Sequence, residues 1–186
     1  MVNPWIAGAP RAYCDFGLMI CDMLANSRHN SYLETETIRK PKEKIMKRTA
    51  SAVWSGDLKS GKGTISSASG VLADTQYSFK TRFEDGNGTN PEELIGAAHA
   101  GCFSMAFSNE LAKAGHTPER VATKATVHLD QVEGGVAITT IDLDVTAKVP
   151  GIDRAEFDRI ANEAKVGCPV SKVLNAKITL TANLES

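Results

Sequence analysis

Two cysteines carry the chemistry this chain could do: Cys102, in the apolar run AAHAGCFSMAF, and Cys168, which opens the segment GCPVSKVL. Neither has a zinc-ligand partner at the short spacing of a structural metal site, and a cluster of His99, Cys102 and Cys168 would lack a fourth ligand. Outside the N-terminal segment they are the only cysteines. Each lies where local structure can change thiol reactivity, and together they point to a redox pair.

The two positions make different demands. Cys102 falls about three turns into a long apolar helix, beyond the reach of the helix dipole, so the helix alone does not lower its pKa. Burial in apolar surroundings raises it, because desolvation penalises the thiolate. A reactive Cys102 therefore needs a cationic neighbour such as an arginine; otherwise it packs as a small hydrophobe. Cys168 precedes Pro169 and sits at or beside a helix N-cap, where free backbone N–H groups stabilise an anion, although ordinary packing accounts for it as well. His99 shares a helix face with Cys102. It reads either as a base toward that thiol, in a hydrolase-like pair, or as a core histidine bonded to a backbone carbonyl. His116 and His128 read as surface residues. The segment GKGT, Gly61 to Thr64, lacks the P-loop pattern and reads as a turn.

The elements that must hold these residues form an α+β pattern from Met46 onward. Thr49 to Ser55, Gly63 to Ser69 and Gln76 to Phe83 read as a three-stranded meander. The clearest helix follows, with Thr89 or Asn90 as cap, Pro91 in the first turn and Gly115 as the stop after Lys113. Its middle, Leu94 to Phe107, is apolar nearly all round, which asks for burial on most sides, against a sheet and a second chain. Val121 to Gln131 and Val136 to Val149 form a hairpin through Glu133, Gly134 and Gly135. A capping box of Asp153 and Glu156 opens a helix striped with Phe157, Ile160, Ala161 and Ala164 and ending at Gly167. Pro169 starts a short helix, and Lys177 to Leu184 forms a last strand.

Composition narrows the class. The chain has 186 residues, 42% of them apolar, and a net charge of −1. That size suits one domain, with no basic field for nucleic acid and no polybasic run for a membrane surface. No apolar stretch approaches the length of a membrane span. Four cysteines are too few for a disulfide scaffold, so a reducing, cytoplasmic compartment is expected. Residues 1–45 show no sustained period and end in the charged IRKPKEK. They read as an extension, disordered or from an upstream start, whose Cys14 and Cys21 carry no chemistry; Asp15 and Asp22 argue against a signal sequence. The folded domain is expected over 46–186.

The segments AVWSGDLKSGKGT, FKTRFEDGNGTNPEELIGAAHAGCFSMAFS, AITTIDLDVTAKVPGID and AKVGCPVSKVLNAKITL resemble the OsmC and Ohr group of thiol-dependent hydroperoxide reductases. The likeness runs in order over residues 47–186 and is closer to the OsmC branch. It implies an OsmC-like fold, a highly curved, mainly antiparallel six-stranded sheet around two central helices, in an intertwined obligate homodimer. It implies that Cys102 is the peroxidatic cysteine, with Gly101 where the family often has alanine, and that Cys168 is the resolving one. Arg82, from the TRF segment, would lower the Cys102 pKa, and Glu92, from NPE, would hold the guanidinium, with Glu93 a competitor for that place.

The implied reaction reduces an organic hydroperoxide through a sulfenic acid and an intramolecular disulfide. An external dithiol, of lipoyl type, recycles it, with no metal or bound cofactor. Leu94, Phe103, Met105 and Phe107 are available to favour organic substrates. Two other readings make different predictions: a non-catalytic, stress-induced structural or ligand-binding dimer with packed cysteines, and the Cys–His hydrolase that His99 would serve.

Overall fold

The structure, a computed structural model, describes residues 46–185. The expectations for residues 1–45, including Cys14 and Cys21, lie outside the described residues. Strands β1 (Ala50–Ser55), β2 (Lys62–Ser67) and β3 (Thr75–Ser78) form the expected antiparallel meander. In the first turn the Asp57 carboxylate accepts the N–H groups of Lys59 and Ser60 at 2.9 and 3.0 Å. A Cβ on Gly61 would lie 2.3 Å from the Asp57 carbonyl oxygen, so only glycine fits there. Most of the GKGT segment is not a turn: Lys62 to Thr64 already belong to β2 and pair with β3.

The third strand is shorter than the sequence pattern suggests, because Phe79–Phe83 is a helical turn, α1. Ser78 caps it, accepting the Thr81 N–H at 3.3 Å while the Thr81 hydroxyl accepts the Ser78 N–H at 2.8 Å. This reciprocal cap uses threonine where glutamate or glutamine is usual, so its signature is easily missed.

Helix α2 (Pro91–Lys113) begins as expected, with the Asn90 side chain accepting the Glu93 N–H at 2.8 Å. It ends where Gly115 adopts φ +89°. The His116 N–H bonds the Leu111 carbonyl and the Gly115 N–H bonds that of Ala112, the Schellman arrangement. Strands β4 (Arg120–Val132) and β5 (Gly135–Lys148) make the hairpin, and β6 (Lys177–Glu185) lies parallel to β5. Helix α3 (Arg154–Gly167) is capped by Asp153, whose carboxylate accepts the Glu156 N–H at 2.9 Å. The short α4 (Pro169–Val173) follows after Cys168, whose ψ of 123° interrupts the helical path.

The fold is α+β with six strands, as expected, but within one chain those strands make two three-stranded sheets, β1-β2-β3 and β4-β5-β6, rather than one. The core lies on the second. Ile141, Leu143, Val145 and Ala147 alternate along β5 and are buried with Phe103, Phe107 and Leu111 of α2 and Phe157 and Ile160 of α3. The Phe107 and Phe157 rings meet edge to face at 5.3 Å. Phe103 and Phe107 are completely buried, so they hold the core together and are not free to line a substrate pocket.

Within one chain, α2 is covered on only part of its surface. Ala97, Ala98, Gly101 and Met105 form an exposed face, and a Cβ added at Gly101 would meet nothing within 4 Å. No helix among the described residues is long and apolar enough to cross a membrane.

Candidate active site

Helix α2 carries Cys102 on the border between its packed and exposed faces, while the junction of α3 and α4 carries Cys168. The last N–H of α3, that of Cys168, bonds the Ala164 carbonyl at 2.8 Å. Pro169 cannot donate a hydrogen bond and opens the next helix, so the chain turns at Cys168 and aims its side chain at α2. The two sulfurs stand 3.2 Å apart, as free thiols in hydrogen-bond contact. Their closeness meets the demand that a redox pair makes on residues so distant in sequence.

Cys102, read from the sequence as buried, is only partly covered, whereas Cys168 is fully buried and belongs to the core. The reason lies in the neighbours: Cys102 borders the open face of α2, and Cys168 is enclosed where α2, α3 and α4 meet.

Their acidities also differ. Burial pushes the Cys102 thiol above the ordinary cysteine range, only partly offset by the Val170 N–H, and the neighbouring Cys168 pushes it further. Burial would raise Cys168 too. Against it, the Ser171 N–H, the Cys102 thiol, the Ser171 hydroxyl and the Val170 N–H together hold Cys168 below that range. The surroundings therefore push the two thiols in opposite directions.

Arg82 and Glu92 meet as anticipated. The guanidinium donates to both carboxylate oxygens through Nε at 3.1 and 3.2 Å and through Nη2 at 2.7 Å. The helical turn α1 presents Arg82, and the first turn of α2 presents Glu92. Glu93 is engaged elsewhere, accepting the Thr89 hydroxyl at 3.1 Å, so Glu92 is the arginine's partner. Arg82 is not among the groups that set the acidity of Cys102 within the chain. Glu92 lies ten residues before Cys102, a rise of about 15 Å along the helix axis.

The sequence pattern missed two features. Trp54, Leu58, Tyr77, Phe79, Phe83 and Arg82 border a cleft of about 270 Å³ that is mostly apolar. Phe103 and Phe107, expected to be available to a pocket, are in the core and do not line it. Ser171 is the second: its hydroxyl meets His99 Nε2 at 2.8 Å. His99 therefore bonds a side chain rather than a backbone carbonyl, and it does not take Cys102 as its partner. Ser171 lies three residues after Cys168 in the sequence, a spacing that could have flagged it; its pairing with a distant helix could not be read locally. The other two histidines among the described residues pair with carboxylates, His116 with Glu156 at 3.2 Å and His128 with Asp142 at 2.7 Å.

Paired thiols on an α+β scaffold, with a carboxylate-held arginine beside an apolar cleft, define a two-cysteine thiol centre. Residues 84–183 match the family model described as OsmC-like protein. The chain is 58% identical over 135 residues to "Peroxiredoxin OsmC" of Escherichia coli strain K12, covering 73% of this chain and 94% of that protein. It is 33% identical over 100 residues to "Organic hydroperoxide resistance protein" of Xanthomonas axonopodis pv. citri, covering 53% and 68%. Among solved structures, the organic hydroperoxide resistance protein OhrB of Bacillus subtilis matches with a TM-score of 0.54 and 26% identity, over 74% of this chain and 98% of that one. This chain belongs to the OsmC family.

Proposed function

We propose that the chain is a thiol-dependent peroxidase that reduces organic hydroperoxides to alcohols, with Cys102 attacking and Cys168 resolving. The observation that carries this reading is the 3.2 Å approach of the two sulfurs. The names of the relatives, a peroxiredoxin and organic hydroperoxide resistance proteins, support the reaction and the substrate class. The Cys102 thiolate attacks the distal oxygen of ROOH, the O–O bond breaks, and the alkoxide leaves as alcohol after taking a proton. Cys102 becomes a sulfenic acid. The Cys168 sulfur then attacks the Cys102 sulfur, the S–O bond breaks, and hydroxide leaves as water. An external dithiol of lipoyl type reduces the disulfide by exchange and is itself oxidised to a disulfide. The cycle needs no bound cofactor or metal and suits the reducing cytoplasm.

Activating Cys102 requires a positive charge that no described residue of its own chain brings to it. A second copy of the chain supplies it. Ala97 lies midway between Glu92 and Cys102 on the exposed face of α2. A two-fold axis crossing that face near Ala97 sets the Arg82–Glu92 pair of one copy level with Cys102 of the other. The protein is accordingly an obligate homodimer, and Arg82 lowers the pKa of Cys102 across the interface. The aromatic cleft beside Arg82 accepts the organic group.

A Cys168→Ser variant is expected to complete one stoichiometric turnover and to retain a sulfenic acid that dimedone traps. Unchanged steady-state turnover with a dithiol would remove the resolving role. The upward push on Cys102 favours a second reading, in which the thiols merely pack in a non-catalytic dimer. Iodoacetamide separates the two: a thiolate already formed at pH 6 in the dimer labels there, and a packed thiol does not.

A further inference from the structure

His99 has no place in the peroxidase cycle described above, yet α2 buries it completely, one turn before Cys102. Its Nδ1 has no hydrogen-bond partner, and an unsatisfied buried polar atom costs about 1–3 kcal/mol that an apolar side chain would avoid. What the ring gains is a single bond to another element. Its Nε2 lies 2.8 Å from the hydroxyl of Ser171 on α4.

That bond has a counterpart. The two sulfurs, 3.2 Å apart, join the same two segments. His99 and Cys102 are three residues apart on α2, and Cys168 and Ser171 are three residues apart where α4 begins. The first residue of one pair meets the second of the other, so the segments run antiparallel at this point. Three residues rise about 4.5 Å along a helix, and the two contacts are therefore about one turn apart on both segments. We propose that His99 and Ser171 form the second point of a clamp that holds α4 against α2, which makes His99 a positioning residue for disulfide formation between Cys102 and Cys168.

The short helix needs such a hold. It is five residues long and buries none of them fully. Val170 and the following Leu174 only partly enter the core, and Val173 is 76% exposed. With one contact α4 can pivot about Cys168, whereas two contacts a turn apart fix both its place and its direction. The sulfurs must close from 3.2 Å to about 2.05 Å. A misplacement of about 1 Å can slow a reacting pair about a hundredfold.

Resting on the assignment of Cys168 as the resolving thiol, the clamp acts on the second step of the cycle and not on the first. Cys102 attacks the peroxide whether or not α4 is seated. The Cys168 sulfur then attacks the Cys102 sulfur, the S–O bond breaks, and hydroxide leaves as water with the proton of the Cys168 thiol. Only this step needs α4 in place. Once formed, the disulfide itself ties α4 to α2 and the clamp is redundant. In the reduced chain the clamp keeps Cys168 at a high effective concentration beside Cys102.

The test reads the full chain in two ways. In the first, the protein is equilibrated with glutathione and glutathione disulfide, which oxidises the thiol pair while being reduced to two thiols, and the intramolecular disulfide is read by mass spectrometry after alkylation. Ser171→Ala, a small change at a half-buried position, should lower the equilibrium constant for disulfide formation about two- to tenfold. Ser171→Thr, which keeps the hydroxyl, should restore it. His99→Ala should act as Ser171→Ala does, and the double variant should match Ser171→Ala alone. In the second, a stoichiometric pulse of cumene hydroperoxide should give sulfenic acid, trapped with dimedone, at the parent rate in Ser171→Ala, while the disulfide closes about tenfold more slowly. A histidine that only filled the core would change the melting temperature and leave both readouts in place. An unmoved equilibrium constant in Ser171→Ala, a loss that Ser171→Thr does not restore, additive losses in the double variant, or equal slowing of both steps overturns the proposal. The glutathione equilibrium involves no peroxide, so its failure is distinct from a failure of the peroxidase reading, which the turnover of Cys102→Ser reports.

Discussion

The meander and the body of this protein are built differently. Between Phe103 and Cys168 the body buries a continuous core in which α2, α3 and β5 interlock. The meander contributes no apolar residue to that core, and Val53, Leu58 and Val71 remain 63%, 64% and 84% exposed. A three-stranded sheet that adds nothing to the core has little to stabilise it, so its exposed apolar side chains call for another surface. The body holds both thiols, and α1, at the end of the meander, holds the arginine. The half of the chain that buries its own core keeps the sulfurs together, and the other half carries Arg82. Under the proposed function, oligomerisation and activation would be one event.

That contrast can be broken at several points. Phe107→Ala should cost about 3–5 kcal/mol in urea unfolding, because the residue is wholly buried against Phe157; a loss below 1 kcal/mol would mean that the body is not the rigid half. Arg82→Ala should slow reaction with hydroperoxide about ten- to a hundredfold, matching a thiolate pKa raised by one to two units. Mixing sharpens that result. Heterodimers that pair an Arg82→Ala subunit with a Cys102→Ser subunit should recover up to half the parent activity, since one site then has both groups. No recovery would place the arginine and the thiol in the same chain.

A smaller effect concerns pH. The pKa of His99 is lowered by burial, so its stabilising contribution is full above the unfolded value near 6.5 and is lost as pH falls below it, where only the unfolded chain takes up the proton. The unfolding midpoint should therefore drop on acidification, and less so in His99→Gln. Smallest of all, Val71→Ser at an open position should stay within about 0.5 kcal/mol of the parent.

Local patterns made much of this legible. Asn90, Pro91 and Gly115 marked both ends of α2, and Pro169 marked the restart after Cys168. The family resemblance, not a local pattern, named Glu92 as the partner of Arg82 with Glu93 as a competitor, and the bidentate contact with Glu92 is what separates them. Three things were hidden. Helix α1 was masked by a threonine in a capping position. The division into two sheets depends on strand edges that do not pair within one chain. The bond between His99 and Ser171 joins residues 72 apart, and no local spacing announces a contact of that range. The partial exposure of Cys102 was hidden for a related reason: apolar neighbours in sequence suggested that it was enclosed, whereas enclosure depends on which helix face meets another element.

The most direct test is the steady-state consumption of cumene hydroperoxide, with dihydrolipoamide as reductant, by the parent and by Cys102→Ser. The account predicts that turnover disappears in the variant while the fold, followed by circular dichroism, persists. Consumption at the parent rate by a folded Cys102→Ser protein would contradict it.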